Sequence, residues 1–329
     1  MSKYIFNDNT KLIFIKNYYI LIDNLGKKSK EKLEKDFYNN LYNLCREKYI
    51  FSDKNNSFTA EQLKFLSKNN IIKKLSPITE KYQNTKFEKF QIYLENIFND
   101  AKEVDYIKNN GNKKILFIGA GGICTAMIDY FIASGFNDFG IVDFDLVEIT
   151  NFNRQFKYSE SDIGYYKVDK IKDNLNKQYS GLSISTYNKK VLSTEELFQI
   201  VDEYNPNIII CAADTPAYMI NKYIAEVCYK RNIPCIFGGV GQESGVVGPL
   251  LYTRSSINNY IKKIDIILKN VEGIFPCRGS FGITNSLISN YMARDVIFYL
   301  MGKKKKVMCL NKECIIDFDR NNIYDKEKY

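Results

Sequence analysis

The sequence predicts an α/β chain, most of it a doubly wound, Rossmann-like and mostly parallel sheet behind a small α+β module of winged-helix type. Three observations predict the sheet. From residue 113 onward, short apolar runs alternate with helix-length amphipathic stretches, the pattern of parallel strands with crossover helices. The first run, KILFIG at 114–119, enters a glycine cluster. The second, GIVD at 140–143, ends on an acid 24 residues after Gly119, as in nucleotide-binding crevices.

The elements follow in order. KLIFIKNYYILI at 11–22 is β-prone and broken by a Lys-Asn pair, which predicts a hairpin. Leu33, Phe37, Leu41 and Leu44 recur at three- and four-residue spacing, predicting a helix over 29–48. A second short helix is expected over 59–68, opening at Thr59, and a strand-like piece at 71–75 before Pro77. Together these define a module over 1–80 of a kind that binds peptides as well as nucleic acid. A connecting segment, 81–112, carries one helix at 87–98.

The main domain, 113–329, reads as strands at 114–119, 140–143, 183–188, 207–212 and 234–238. Helices at 123–133, 167–176, 195–204 and 218–230 separate them. A helix over 280–298 packs on the sheet, with Asn285 and Asn290 facing the site.

Composition excludes several classes of function. Histidine is absent, which removes Ser-His-Asp and Cys-His nucleophiles and any His-ligated metal. The net charge of +9 comes from dispersed lysines, so a nucleic-acid partner is not expected, and Lys303–Lys306 reads as a solvated turn. No apolar run reaches the ~18 residues that span a bilayer, so no membrane partner is expected. The opening residues lack a signal-peptide pattern and the eight cysteines form no paired framework, which predicts a cytoplasmic, reduced protein.

The residues with chemical meaning lie at the predicted strand ends. Gly119, Gly121 and Gly122 stand where a strand turns into a helix, where backbone N–H groups and the helix dipole favour a phosphate. Cys124 takes the place of the third glycine of the dinucleotide fingerprint. Asp143 is placed to accept hydrogen bonds from ribose hydroxyls. Asn151, Arg154 and Gln155 follow in the next loop, and Lys167 opens the next helix after Gly164. An arginine and a lysine converging there would neutralise charge that builds up during nucleotidyl transfer. Asp214 follows the apolar strand NIIICA and is suited to hold Mg²⁺ on the phosphates.

Taken together, GAGGI, VDFD, NFNRQ, IGYYK and AADTP resemble the adenylyltransferase domain of the ThiF, MoeB and ubiquitin-activating enzyme superfamily, over roughly residues 113–300. The resemblance implies ATP- and Mg²⁺-dependent attack by a C-terminal carboxylate, leaving an acyl-adenylate and pyrophosphate. It assigns Arg154, Lys167 and Asp214 to catalysis, Asp214 also to Mg²⁺. It assigns Gly119, Gly121, Gly122, Asp143, Asp145, Asn151 and Gln155 to the nucleotide. GGVGQESGVVGPLLY at 238–252 is further similar to the microcin C type of adenylating enzyme. That implies a ribosomally made precursor peptide as substrate, its leader held by the front module and its tail guided by residues 238–248. A homodimer is also implied.

The chain departs from that family in three places. It has no CxxC pair, Cys309 and Cys314 being separated by four residues, so no structural zinc is expected. Lys86 and Lys89 stand where the family places an arginine pair, keeping the charge but not the bidentate fork. Cys124 replaces a glycine. Cys277, in PCRGSFG, reads as an ordinary free thiol beside Arg278, while Cys211, Cys228 and Cys235 read as core. The alternatives are a non-catalytic leader-binding scaffold, a sulfur-carrier activator, a nicotinamide dehydrogenase that leaves Arg154 and Lys167 idle, and a winged-helix DNA binder.

Overall fold

The computed structural model describes residues 3–47, 50–52, 58–270 and 279–329. They divide into two units, Met1–Asp105 and Tyr106–Tyr329.

The first unit runs β1 (Lys3–Phe6), β2 (Thr10–Ile15), β3 (Tyr19–Asn24), β4 (Lys27–Lys32), α1 (Lys35–Glu47), β5 (Ile50–Ser52), α2 (Ala60–Lys68), β6 (Ile72–Lys74), α3 (Pro77–Tyr82) and α4 (Glu88–Ile97). Strands β2, β3 and β4 form one antiparallel sheet, and β5, β1 and β6 another. Ile20 and Ile22 on the inner face of β3 pack with Leu33, Phe37, Leu41 and Leu66. Thr59 caps α2 through a capping box with Gln62. The expected hairpin is present as β2–β3.

The helix expected over 29–48 starts later, at Lys35. Residues 29–32 belong to β4, KKSKEK, which is a strand because its backbone pairs with β3 and not because of any apolar alternation. Its lysines are exposed, and Lys30 and Lys32 lie 4.5 and 5.7 Å from the centre of the Tyr19 ring. Strands β1 and β5 and helix α3 had no sequence signal strong enough to predict them.

The second unit follows as α5 (Tyr106–Asn110), β7 (Lys114–Ile118), α6 (Gly122–Ala133), β8 (Asp138–Asp143), α7 (Lys167–Gln178), β9 (Ser183–Asn188), α8 (Thr194–Tyr204), β10 (Ile208–Cys211) and α9 (Met219–Arg231). After these come β11 (Cys235–Val240), β12 (Ser244–Leu251), α10 (Arg254–Asn270), α11 (Gly282–Leu300), β13 (Lys312–Asp317) and β14 (Asn322–Lys328). Its eight-stranded sheet has the order β14-β13-β12-β11-β10-β7-β8-β9. From β9 to β11 the neighbours are parallel, and β12, β13 and β14 add on antiparallel. The chain builds β7, β8 and β9 in one direction and then crosses to β10 and β11 on the other. That reversal opens a crevice above the strand ends, where ligands of such sheets bind.

The predicted alternation is therefore present, with ends shifted by a few residues. Helix α10 and strands β12 to β14 were not predicted as elements. Cys124, Cys211, Cys228 and Cys235 are buried, while Cys277 and Arg278 lie outside the described residues. Lys304–Lys306 is a single 3₁₀ turn, with the Lys304 amine 4.1 Å from the centre of the Tyr252 ring. Among the described residues no helix is long and apolar enough to cross a membrane.

Helix α11 is tied down by a buried carboxylate. Asp295 is fully buried and accepts the backbone N–H groups of Met308 and Cys309, each at 2.8 Å, and the Arg294 guanidinium at 3.0 Å. Replacing it with alanine leaves two N–H donors without their acceptor, each costing about 1–3 kcal/mol when buried. Urea unfolding of Asp295→Ala is expected to show a loss of at least about 2 kcal/mol at unchanged m-value. A loss below about 0.5 kcal/mol would show that the loop does not depend on this carboxylate.

Candidate functional site

The site begins at the turn leaving β7. Gly119 has φ +105°, and a Cβ there would sit 2.5 Å from the Ala212 carbonyl oxygen. Glycine is required on both counts. The turn delivers Gly121 and Gly122 to the start of α6, where the first N–H groups have no partner within the helix. A Cβ on Gly122 would sit 2.5 Å from Asn285 Oδ1, so α11 also closes on this turn.

Asp143, at the end of β8, is held by the same turn. Its carboxylate accepts Ala120 N–H at 2.6 Å and Asp145 N–H at 2.8 Å. Burial pushes its pKa above the ordinary carboxylate range, opposed by the Ala120 N–H and by Lys167. On the other side of Ala120, the Tyr158 hydroxyl donates to its carbonyl at 2.8 Å. The Ala120 residue is thus gripped through both backbone polar groups.

The loop after β8 carries the polar residues singled out from the sequence. Arg154 borders the crevice, and its guanidinium donates to the Thr150 carbonyl at 2.9 Å and to Asn153 Oδ1 at 2.8 Å. Gln155 is 3% exposed, and its buried Oε1 has no hydrogen-bond partner in the protein. Lys167, the first residue of α7, is almost wholly buried and pairs with Asp145 at 2.9 Å. Asn151 is turned the other way: its Oδ1 accepts the Glu148 N–H at 3.1 Å, capping a 3₁₀ turn, and it does not line the crevice.

Asp162 joins the arginine loop to the lysine helix. Its carboxylate accepts Ser159 N–H at 2.8 Å and Asn174 Nδ2 at 3.0 Å, and pairs with Lys170 at 3.0 Å. Burial alone would raise its pKa, but these donors hold it at about 2.

Gly119, Gly121, Gly122, Asp143, Asp145, Arg154, Gln155, Lys167 and Asp214 all line one cavity of ≈ 620 Å³. Asp214, just past β10, is exposed, and Thr215 Oγ1 donates to it at 3.1 Å. An exposed carboxylate beside the glycine turn could hold Mg²⁺, which takes one or two carboxylates and completes its shell with phosphate oxygens and water. Asn285 lines the cavity as expected, whereas Asn290 is exposed and does not. Phe144, Lys189 and Val191 also line it and were not singled out, because no spacing marks them.

Comparison with known proteins agrees with this architecture. A model of the ThiF family matches residues 65–324. Among curated relatives, a probable molybdopterin-synthase adenylyltransferase of Gracilaria tenuistipitata var. liui is 28% identical over 211 residues, covering 60% of this chain and 56% of that protein. An adenylyltransferase and sulfurtransferase of Debaryomyces hansenii is 38% identical over 120 residues, covering 36% of this chain and 26% of that protein. The chain thus spans little more than half of the first and about a quarter of the second. Among solved structures, E. coli MccB with AMPCPP and MccA is similar with a TM-score of 0.70 and 22% identity, over 100% of this chain and 97% of that one. E. coli MccB with ATP is similar with a TM-score of 0.69 and 23% identity, over 99% and 97%. These structures share the fold.

The Asp162 clasp makes a pH-dependent prediction. Its folded pKa lies below the unfolded value, so its contribution is present above pH 3.8 and is lost as pH falls through about 2. Asp162→Ala is expected to lower stability at pH 7 by about 2 kcal/mol in denaturant titrations, with the deficit shrinking below pH 4. A deficit unchanged between pH 7 and pH 2.5 would refute the ionic origin.

Proposed function

The chain belongs to the ThiF family, and we propose that it is an ATP-dependent adenylyltransferase acting on the C-terminal carboxylate of a ribosomally made peptide. The observation that carries this reading is the convergence in one cavity of the glycine turn, Asp143, the Arg154–Lys167 pair and Asp214. The fit to a nucleotide is supported by the open space beside Gly121, where an added Cβ would come no nearer than 3.9 Å to any atom beyond its own turn, and by the unpartnered Gln155 Oε1.

In this mechanism the phosphates lie at the start of α6 and Asp143 accepts the ribose hydroxyls. A substrate carboxylate oxygen attacks the α-phosphorus. The bond from that phosphorus to the oxygen bridging the β-phosphate breaks, and pyrophosphate leaves with the electron pair. Arg154 and Lys167 stabilise the charge that grows on the phosphoryl oxygens. Arg154 exchanges its bonds to Thr150 and Asn153 for bonds to phosphate. Asp214 would hold Mg²⁺, which supplies charge neutralisation on the phosphates when bound. The nucleophile is already an anion, so no general base is needed and a chain without histidine suffices.

Two further parts belong to the proposal. The first unit binds the peptide's leader as a winged-helix-like module, and residues 238–248 guide its tail. E. coli MccB, one of the similar structures, was solved with MccA, which supports a peptide substrate. The working form is a homodimer, a reading supported by exposed Phe156, Phe281 and Ile283, which are about 60% exposed and cluster at Gly282. The names of the curated relatives favour a second reading, activation of a sulfur-carrier protein. It uses the same cavity and differs only in the acceptor.

Exchange of labelled pyrophosphate into ATP tests both. Exchange is expected with peptides ending in a free carboxylate and none with their amides. Exchange only with a folded carrier protein would select the second reading. Arg154→Ala and Lys167→Ala are each expected to lower exchange at least about 100-fold with the thermal unfolding of the chain intact. Undiminished exchange in either variant would remove that residue from the mechanism.

A further inference from the structure

The cavity extends past Asp143 to the end of β9, beyond the parts used above. The sheet order β10-β7-β8-β9 arranges its functional groups as a sequence in space. Asp214 follows β10, the glycine turn follows β7, and Asp143 ends β8. A nucleotide with its phosphates at the turn and its ribose at Asp143 therefore directs its base toward β9. This step rests on the nucleotide reading proposed above.

The β8–β9 register pairs Asp143 with Asn188, so the next residues out, Phe144 and Lys189, leave the sheet side by side. Both line the cavity, together with buried Val191. Lys190, whose amine sits 5.0 Å from the centre of the Phe144 ring, does not line the cavity. The other cations lining the cavity are engaged: Lys167 with Asp145, Lys263 and Lys326 with Glu313, and Arg154 with its own loop. Among the described residues, Lys189 has no side-chain hydrogen bond or ion pair.

We propose that Lys189 is a specificity-determining residue that reads the edge of the nucleotide base, which lies against Phe144 and Val191. A lysine amine has three donors and no acceptor. It selects a base edge that presents a ring nitrogen or carbonyl and gains nothing from an exocyclic amino group. On adenine the available acceptors are N1, N3 and N7.

Calorimetric titration of the full chain with ATP, adenosine and 1-, 3- and 7-deazaadenosine tests this. Lys189→Ala is expected to weaken ATP and adenosine alike, by about tenfold. One of the three deaza analogues is expected to bind the wild-type chain about tenfold more weakly than adenosine and the variant no more weakly. ATP weakened with adenosine unaffected would assign Lys189 to the phosphates and overturn the proposal. All three analogues keeping their ratios to adenosine in the variant would also overturn it, leaving Lys189 a solvated lysine. If the wild-type chain bound neither ATP nor adenosine, the nucleotide reading itself would fall, an outcome distinct from either of these.

Discussion

The rest of the site depends on how closely β7 and β10 approach at their C-terminal ends. Backbone meets backbone at Gly119 and Ala212, with no room for a Cβ between them. The hydrogen bond from Ala212 N–H to the Ile118 carbonyl, 2.8 Å, sets that approach. It brings the glycine turn next to Ala213 and Asp214, so the turn and a carboxylate share one crevice wall. Ala120, the next residue, is then locked by Asp143 through its N–H and by Tyr158 through its carbonyl. The acid proposed to bind ribose and the turn proposed to bind phosphate are therefore one hydrogen-bonded unit.

The charges around that unit are arranged so that none is stranded. Lys167 is buried but paired with Asp145, whose own N–H supports Asp143. Burying an unpaired ammonium would cost several kcal/mol, so this pairing is what lets a cation wait at the crevice wall. Arg154 waits differently, on a carbonyl and an amide oxygen of its own loop, partners that a phosphate can replace. Asp162, bridging the arginine loop to α7, keeps the two cations in register from behind. Gln155, a neutral side chain that also lines the crevice, keeps its buried Oε1 without a partner in the protein.

The legible parts of the sequence were those whose chemistry is local. A strand running into Gly119, an acid ending the next strand, and an arginine and a lysine after it all sit within one crossover unit. Residue type and spacing alone bring them together. Asn151 shows the limit of that inference, since its type and position match the polar set while its side chain caps a turn. Strand β4 was hidden because its lysines carry no alternation, and β12 because Gly245, Gly248 and Pro249 read as loop punctuation. Lys189 was hidden for a different reason: only the parallel register with β8 sets it beside Phe144. A lysine in a lysine-rich chain carries no mark of its own.

Under the proposed function the crevice breaks ATP at the α-phosphorus and leaves the nucleotide on a carboxylate. Incubation with ATP labelled with ³²P at the α-position and a pool of synthetic peptides bearing free C-terminal carboxylates tests it most directly. Label is expected on a peptide, with unlabelled pyrophosphate released in equal amount. Release of inorganic phosphate with the label remaining in ADP would place the cleavage at the γ-phosphorus and contradict it.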